Sequence, residues 1–195
     1  MGVLAQSATW AGSEFRLRNT RGGAVVHRSL PVAASQTIYK GQLLKCTDGL
    51  LVQALATSLT SGQAVDSGGT AGGVLLYVAL CDYTTTSTVT EADKIPVAPL
   101  SDGNEVMLQF ANFANSAGAL GDATNTTVTD TDAGASYQIG VYFNASSGRR
   151  EYGADIETTN GELEFVEDAD EPTSTATYHR GWFRGRGLFT IDTTE

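Results

Sequence analysis

Residues that could act as acids, bases or metal ligands are few in this chain of 195 residues. His27 and His179 are the only histidines, and neither stands near a nucleophile or in the spacing of a metal site. Carboxylates are plentiful between Glu151 and Glu171, where two could flank a glycosidic bond. Because that stretch is rich in Thr, Ser and Pro, we expect its carboxylates to be solvated. Residues 130–136 match half of a calcium loop but lack its closing glutamate.

A serine nucleophile is a second possibility. The segment Asp66-Ser67-Gly68-Gly69 is similar to the nucleophile loop of trypsin-like proteases, in which glycine N–H groups stabilise an oxyanion. However, Val65 and Thr70 stand where that loop has glycine and proline, and His27 lacks the surroundings of a catalytic histidine. A flexible loop between strands is therefore the better interpretation.

Cysteines and glycines give no cofactor site either. Cys46 and Cys81 each lie within an apolar run, which favours buried free thiols over a zinc site or a disulfide. The sequence contains neither Gly-x-x-x-x-Gly-Lys-Ser/Thr nor a strand-linked Gly-x-Gly-x-x-Gly, the usual nucleotide-binding motifs. We therefore expect no catalytic residues, no cofactor and no metal, and a protein that is not an enzyme.

The formal net charge of −10 argues against a nucleic-acid-binding protein, because phosphate backbones require a basic face. Residues 180–187 mix Arg, Gly and aromatics as single-strand binders do, but one short block is more typical of a strand with outward arginines. The charge is uneven, with six Lys and Arg against Glu14 and Asp48 in residues 1–50, and nine acids without a base in residues 151–171. Such opposite-signed regions can dock on a partner or on a second copy.

The acidic run Glu162–Glu171 interrupts the strand pattern and is predicted to be a loop. Basic residues follow it about a dozen positions later, between Tyr178 and Gly187. This arrangement indicates either pairing across a hairpin or a solvated charge run, since exposed ion pairs stabilise little.

From residue 25 onward, short β-branched and aliphatic runs alternate with Gly, Asp, Asn and Thr, which is typical of strands and turns. Asp48-Gly49 between two apolar runs predicts a hairpin over Leu43–Leu55. Helical spacing is weak and confined to Gln109–Ala119, and the longest apolar run, Val74–Cys81, is too short to span a bilayer. The sequence therefore predicts an all-β protein without a membrane anchor. The predicted strands are Ala24–His27, Leu43–Cys46, Leu50–Leu55, Val74–Asp82, Ile95–Pro99, Val106–Phe110, Thr126–Thr129, Tyr137–Asn144, Gly161–Val166 and Gly181–Ile191.

Residues 1–24 are predicted to form an extended N-terminal arm. They are rich in Gly, Ser, Arg and Asn, show no helical or strand period, and carry apolar side chains spaced among arginines. This composition suits a segment that orders on a partner, although a disordered terminus looks similar. The start has neither the basic nor the apolar region of a secretory signal, so we expect the protein to stay in the cytosol of its producer. The residues predicted to contact a partner are Trp10, Phe15, Arg16, Leu17, Arg18 and Arg21.

Two stretches of the chain share a pattern of strand, hairpin, polar loop, then Gly-Val and another strand. The first is Lys40–Ala54 with Gly73–Tyr77, and the second is Leu120–Ala123, Thr127–Thr129 and Ile139–Phe143. Over residues 25–145 this pattern resembles the small β-barrel, or β-tulip, of tailed-phage capsid decoration (cement) proteins. Asp93–Val97 resembles the strand that follows in that family.

The resemblance implies a virion structural protein on the outer surface of an icosahedral phage capsid, made in the host cytoplasm. Its implied partners are the major capsid protein, whose neighbouring subunits it would clamp, and further copies of itself in a homotrimer, with no nucleic acid or membrane. We then expect an arm (1–24), a β-barrel or β-tulip domain (25–145) and an additional β segment completing or extending it (146–195). The alternative is a glycan- or receptor-binding β module of a tail or head fibre, with Trp10, Tyr178 or Trp182 exposed on a concave face.

Overall fold

The computed structural model describes residues 15–54, 64–66, 75–89, 93–101, 103–113, 132–159, 161–169 and 178–186. Within these ranges the chain is built from strands, without an α-helix, so the prediction of an all-β fold is confirmed. The strands are β1 (Arg16–Asn19), β2 (Arg28–Pro31), β3 (Thr37–Ile38), β4 (Leu43–Thr47), β5 (Leu50–Gln53), β6 (Ala64–Asp66), β7 (Leu76–Ala79), β8 (Tyr83–Thr84), β9 (Lys94–Pro99), β10 (Asn104–Ala111), β11 (Ser136–Asn144), β12 (Arg149–Thr159), β13 (Leu163–Asp168) and β14 (Arg180–Gly185).

Five antiparallel strands form a small barrel in the order β2-β9-β7-β4-β5. Val32, directly after β2, forms a parallel bridge with Leu51 on β5 and so closes the ring. The predicted hairpin is confirmed as β4–β5, which turn at Asp48 and Gly49, both with positive φ as a tight turn requires. The barrel interior is filled by Val32, Ile38, Leu44, Leu51, Tyr77, Ala79, Ile95 and Val97.

Five further strands form a second barrel in the order β10-β12-β11-β13-β14, which closes because β14 also pairs with β10. β1 joins this sheet antiparallel to β10, and β6 joins it antiparallel to β11. Aromatic rings fill the interior: Phe110 contacts Tyr137 and Phe183 with centroid distances of 5.1 Å, and Phe165 at 5.7 Å. Edge-to-face packing of this kind stabilises a core beyond simple area burial.

The two barrels share one hydrophobic core. Because successive side chains on a strand face opposite ways, Leu44 and Tyr77 fill the small barrel while their neighbours Leu43 and Val78 point outward from it. These outward residues belong to the same buried cluster as Tyr152 and the interior of the second barrel. The described residues after 145 therefore complete a barrel that begins with β10 and β11.

Several strands differ from their predicted bounds. Residues 24–27 are not a strand, and the chain becomes extended only at β2. β12, the longest strand, has no counterpart in the prediction, whereas Gly161–Val166 is confirmed as β13, which continues to Asp168. The prediction of a loop from 162 is wrong because charged residues alternate there with Leu163 and Phe165, which face the core. The predicted strand at 126–129 lies outside the described residues.

The predicted arm is described from Phe15 onward. Arg16–Asn19 form β1 in the chain's own sheet, and Leu17 packs against the shared core. Arg16–Asn19 of the predicted arm therefore belong to the chain's own sheet, whereas residues 1–14, which include Trp10, lie outside the described residues. The physical reason is that β10 offers a pairing edge at which the Leu17 side chain reaches apolar partners.

Candidate docking face

β1 and β14 flank β10 on opposite sides, so their outward side chains form a single surface. Val106 pairs with Leu17 on one side and Phe183 on the other, and all three side chains face the core. The alternate positions therefore face outward. We call this surface the docking face; it includes Arg16, Arg18, Glu105, Glu164, Glu167, Trp182 and Arg184. Met107 lies on the same face between Arg16 and Trp182, but its side chain is buried.

Arg18 lies at the centre of the docking face. Its Nε and one amino nitrogen each lie 2.6 Å from Glu105 Oε2, and the other amino nitrogen donates to Glu167. The guanidinium carbon also stacks 4.2 Å from the Trp182 ring centroid. The Glu105 side chain is only 3% exposed, so its charge depends on this partner. Arg18 therefore fastens β1 to β10, β13 and β14.

Arg184 continues the alternation of charge across the sheet. It pairs with Glu164 directly opposite on β13. This hydrogen bond raises the pKa of the Arg184 guanidinium; burial lowers it, and the charges of Glu164 and Glu105 raise it. Together with the pairing of His179 and Asp168, this contact agrees with the first of the two interpretations of the charge run, pairing across a hairpin, rather than with a fully solvated run.

A buried amide fixes the chain where β1 ends. Asn104 has no exposed surface, and its Nδ2 donates to the carbonyl oxygens of Val26 at 2.7 Å and Pro99 at 2.9 Å. Its Oδ1 accepts from Asn19 Nδ2 at 2.9 Å and from the Val26 amide at 3.1 Å. One side chain thus ties β1 and the segment before β2 to the end of β9, with all of its hydrogen-bonding groups used.

Three carboxylates that we expected to be solvated are buried instead. Glu151 accepts from Asn144 Nδ2 at 2.9 Å, Asp155 accepts from the Phe113 amide at 3.3 Å, and Asp168 pairs with His179. All three are 3% exposed or less. The expectation of a solvated run is wrong at these positions because they lie on β12 and β13.

The two histidines lie in different environments. The His179 and Asp168 side chains are 4% and 2% exposed, so this pair has no face open to a substrate. His27 is exposed, and its Nδ1 lies 3.3 Å from the Val25 carbonyl oxygen. Cys46 and Cys81 are free thiols, half-buried beside the small barrel's interior. In the described part of the chain, no three His, Cys, Asp or Glu residues group as metal ligands.

The predicted partner-binding residues are distributed over several places. Arg16 and Arg18 lie on the docking face, whereas Leu17 faces the core and Phe15 packs over Gly41. Arg21 is exposed in the turn beside Gly103. Whether any of them contacts a partner stays a prediction.

Sequence analysis did not assign Trp182 or Arg184 to the same surface as the arm. Residues 180–187 are predicted to form a strand with outward arginines; β14 and its exposed Arg184 agree with that prediction, whereas Arg180 is buried. The alternation Arg-Gly-Trp-Phe-Arg was the available signal for a shared outward face. This alternation does not indicate that β10 lies between β14 and β1 in the sheet.

Comparison with known proteins finds no matching protein-family model, no matching curated protein and no matching solved structure. Among the described residues there is no helix of the length and apolarity required to cross a bilayer.

Proposed function

We propose that this protein is a virion structural protein that decorates an icosahedral phage capsid and bridges neighbouring major capsid subunits. The observation that carries the proposal is the anchorage of β1, which directly follows residues 1–14 in the sequence. Main-chain pairing with β10 and the contacts of Arg18 hold this strand to the body. If residues 1–14 bind a neighbouring subunit, β1 connects that contact to both barrels.

The energetics of binding favour this arrangement. A segment that orders only on its partner loses conformational entropy, which weakens the contact that each copy makes. Arg16–Asn19 are already paired with β10 before any partner binds, so these residues add nothing to that loss. Further copies around a shell, or joined in a homotrimer, then multiply a weak contact into a stable one. The partners we propose are therefore the major capsid protein and other copies of this chain.

The alternative function, a glycan- or receptor-binding module, requires an aromatic ring with a free face. The Arg18 guanidinium covers one face of Trp182. Tyr178 is half-buried against Ala111 and Phe113. These contacts reduce the aromatic surface that Trp182 and Tyr178 offer to a ligand, whereas Trp10, the third candidate, lies outside the described residues.

Co-sedimentation with expanded heads of the phage that encodes the chain tests the proposal. A variant lacking residues 1–14 is the appropriate deletion, because removal of residues 1–24 would also remove β1 and expose Glu105. We expect this variant to keep the thermal unfolding midpoint of the full chain and to lose binding to heads. A control that keeps residues 1–14 in scrambled order tests whether length alone suffices.

Two outcomes would contradict the decoration role and the role of residues 1–14 separately. Full-length protein that does not sediment with heads would overturn the decoration role itself. Deletion variants that bind as tightly as the full chain would leave decoration standing and remove the arm from it. Sedimentation velocity of the full chain, which we expect to show a trimer, tests the self-association independently.

A further inference from the structure

The docking face is balanced in charge although the chain is strongly acidic. The arginines and glutamates named on it are equal in number, whereas the whole chain has a formal net charge of −10. Two copies of an acidic chain repel each other over most of their surfaces. That repulsion is absent where the charges cancel, so the docking face is a surface through which a second copy can approach.

Two opposite charges on the docking face are neighbours of the same indole ring. Arg184 lies two positions after Trp182 on β14, so both side chains point to the same side of the sheet. Glu167 is the residue that pairs with Trp182 on β13. The face therefore presents a cation along the strand from Trp182 and a carboxylate across the strand from it.

Both of these charges are half exposed, although each has a partner within the chain. Arg184 donates to Glu164, and its side chain is 52% exposed. Glu167 accepts from Arg18, and its side chain is 47% exposed. By contrast, the Glu105 side chain at the centre of the face is only 3% exposed. Arg184 and Glu167 thus offer opposite charges to an approaching protein.

A second copy supplies the matching arrangement by symmetry. A two-fold axis that brings Arg184 of one copy to Glu167 of the other also brings Glu167 of the first to Arg184 of the second. Because Trp182 is the neighbour of both residues, the same axis passes close to it and places the two indole rings near each other. Tryptophan and arginine are enriched at protein interfaces, where they contribute much of the binding energy.

We infer that the docking face binds the docking face of a second copy about a two-fold axis, through Arg184, Glu167 and Trp182. The contact forms two equivalent ion pairs around the paired indole rings. A trimer is built from heterologous contacts, which involve other surfaces, so the two kinds of association are compatible. The inference does not depend on the proposed capsid function.

Charge reversal tests the two-fold contact in the full-length chain. Arg184→Glu and Glu167→Arg each replace both attractive pairs by pairs of like charge. Each variant alone should therefore associate more than about tenfold more weakly than the wild type. In an equimolar mixture, each variant meets the opposite charge of the other at both pairs, so association should return to within about threefold of the wild type. Sedimentation velocity over a range of concentrations measures all four samples.

A matched control separates this contact from a general effect of charge. Arg149→Glu reverses a cation of similar exposure, 41%, that is paired with Asp82 outside the docking face. It should leave the association unchanged. The thermal unfolding midpoint of each variant reports whether the fold is kept. If charge reversal unfolds the chain, Arg184→Gln and Glu167→Gln replace it; each should weaken association, and mixing them should not restore it.

The mixture gives the decisive result. Reversal variants that sediment like the wild type at every concentration would overturn the inference, and so would a mixture that associates no better than either variant alone. Wild-type association in both glutamine variants would overturn it equally. None of these outcomes bears on the binding of the chain to phage heads, which the deletion of residues 1–14 tests separately.

Discussion

Replacing Arg18 by methionine tests the anchorage of β1 most directly. Methionine keeps an apolar stem over Trp182 but removes the guanidinium, which leaves Glu105 buried without its cation. Removing one partner of a buried ion pair costs about 3–5 kcal/mol. Losing the contact with Glu167, whose side chain is 47% exposed, adds at most about 1 kcal/mol. We therefore expect the free energy of unfolding to fall by about 3–5 kcal/mol, with Glu105 as the dominant cause.

Urea denaturation measures this effect as a lower midpoint with an unchanged slope. Arg149→Met is the matched control, because Arg149 and Asp82 are 41% and 54% exposed and their charged atoms are 3.5 Å apart. That substitution should cost no more than about 1 kcal/mol. Adding Glu105→Gln to Arg18→Met removes the uncompensated charge and should restore about 1–3 kcal/mol.

The decisive comparison is between the two arginine variants. If Arg18→Met lowers the free energy of unfolding no more than Arg149→Met does, then Glu105 does not depend on the Arg18 cation, and the contacts of Arg18 do not hold β1 to the sheet. The same conclusion would follow if Glu105→Gln failed to restore any stability in the Arg18→Met background. Hydrogen exchange of the β1 amides, expected to accelerate in Arg18→Met, reports on the strand itself.

Two further predictions concern buried polar groups. Asn104→Asp should lower the free energy of unfolding by about 2–4 kcal/mol in urea at neutral pH, because a carboxylate cannot donate to the two carbonyl oxygens that the amide satisfies; an unchanged midpoint would contradict the role of Asn104. Burial, with added repulsion from Asp132 and Asp168, raises the pKa of Tyr137 to about 12 from 10.0. The phenol therefore ionises at a lower pH in the unfolded chain than in the folded one. The free energy of unfolding should be unaffected below pH 10 and fall by about 3 kcal/mol as pH rises through 12. Alkaline unfolding followed by tyrosinate absorbance checks this prediction, and Tyr137→Phe, which has no ionisable group, should lose its part of the pH dependence.

Local sequence patterns were sufficient to predict the all-β fold class and some individual strands. The β4–β5 hairpin was predictable because Asp48-Gly49 specifies its turn within a few residues. β12 was not predictable, because Arg149, Arg150 and Glu151 before Tyr152 and Asp155 after Ala154 conceal the alternation of its buried apolar residues. Barrel closure could not be predicted either, since it joins β10 to β14 across about 70 residues of sequence.

The buried carboxylates show a different limit of sequence analysis. Glu105 and Arg18 lie 87 positions apart, and the sequence around either residue gives no indication that the two form a pair. Residues 1–24 show no strand period, and we expected their apolar and basic side chains to order on another protein. Arg16–Asn19 instead pair with the chain's own β10, because pairing requirements are identical within and between chains.

Phe15 packs against the turn before β4. Its ring occupies the space where a side chain on Gly41 would lie, and Gly41 has a φ of 90°, a conformation that glycine adopts without strain. A Cβ at position 41 would meet the Phe15 ring, so this glycine allows the close approach by which Phe15, next to β1, attaches to the body of the protein.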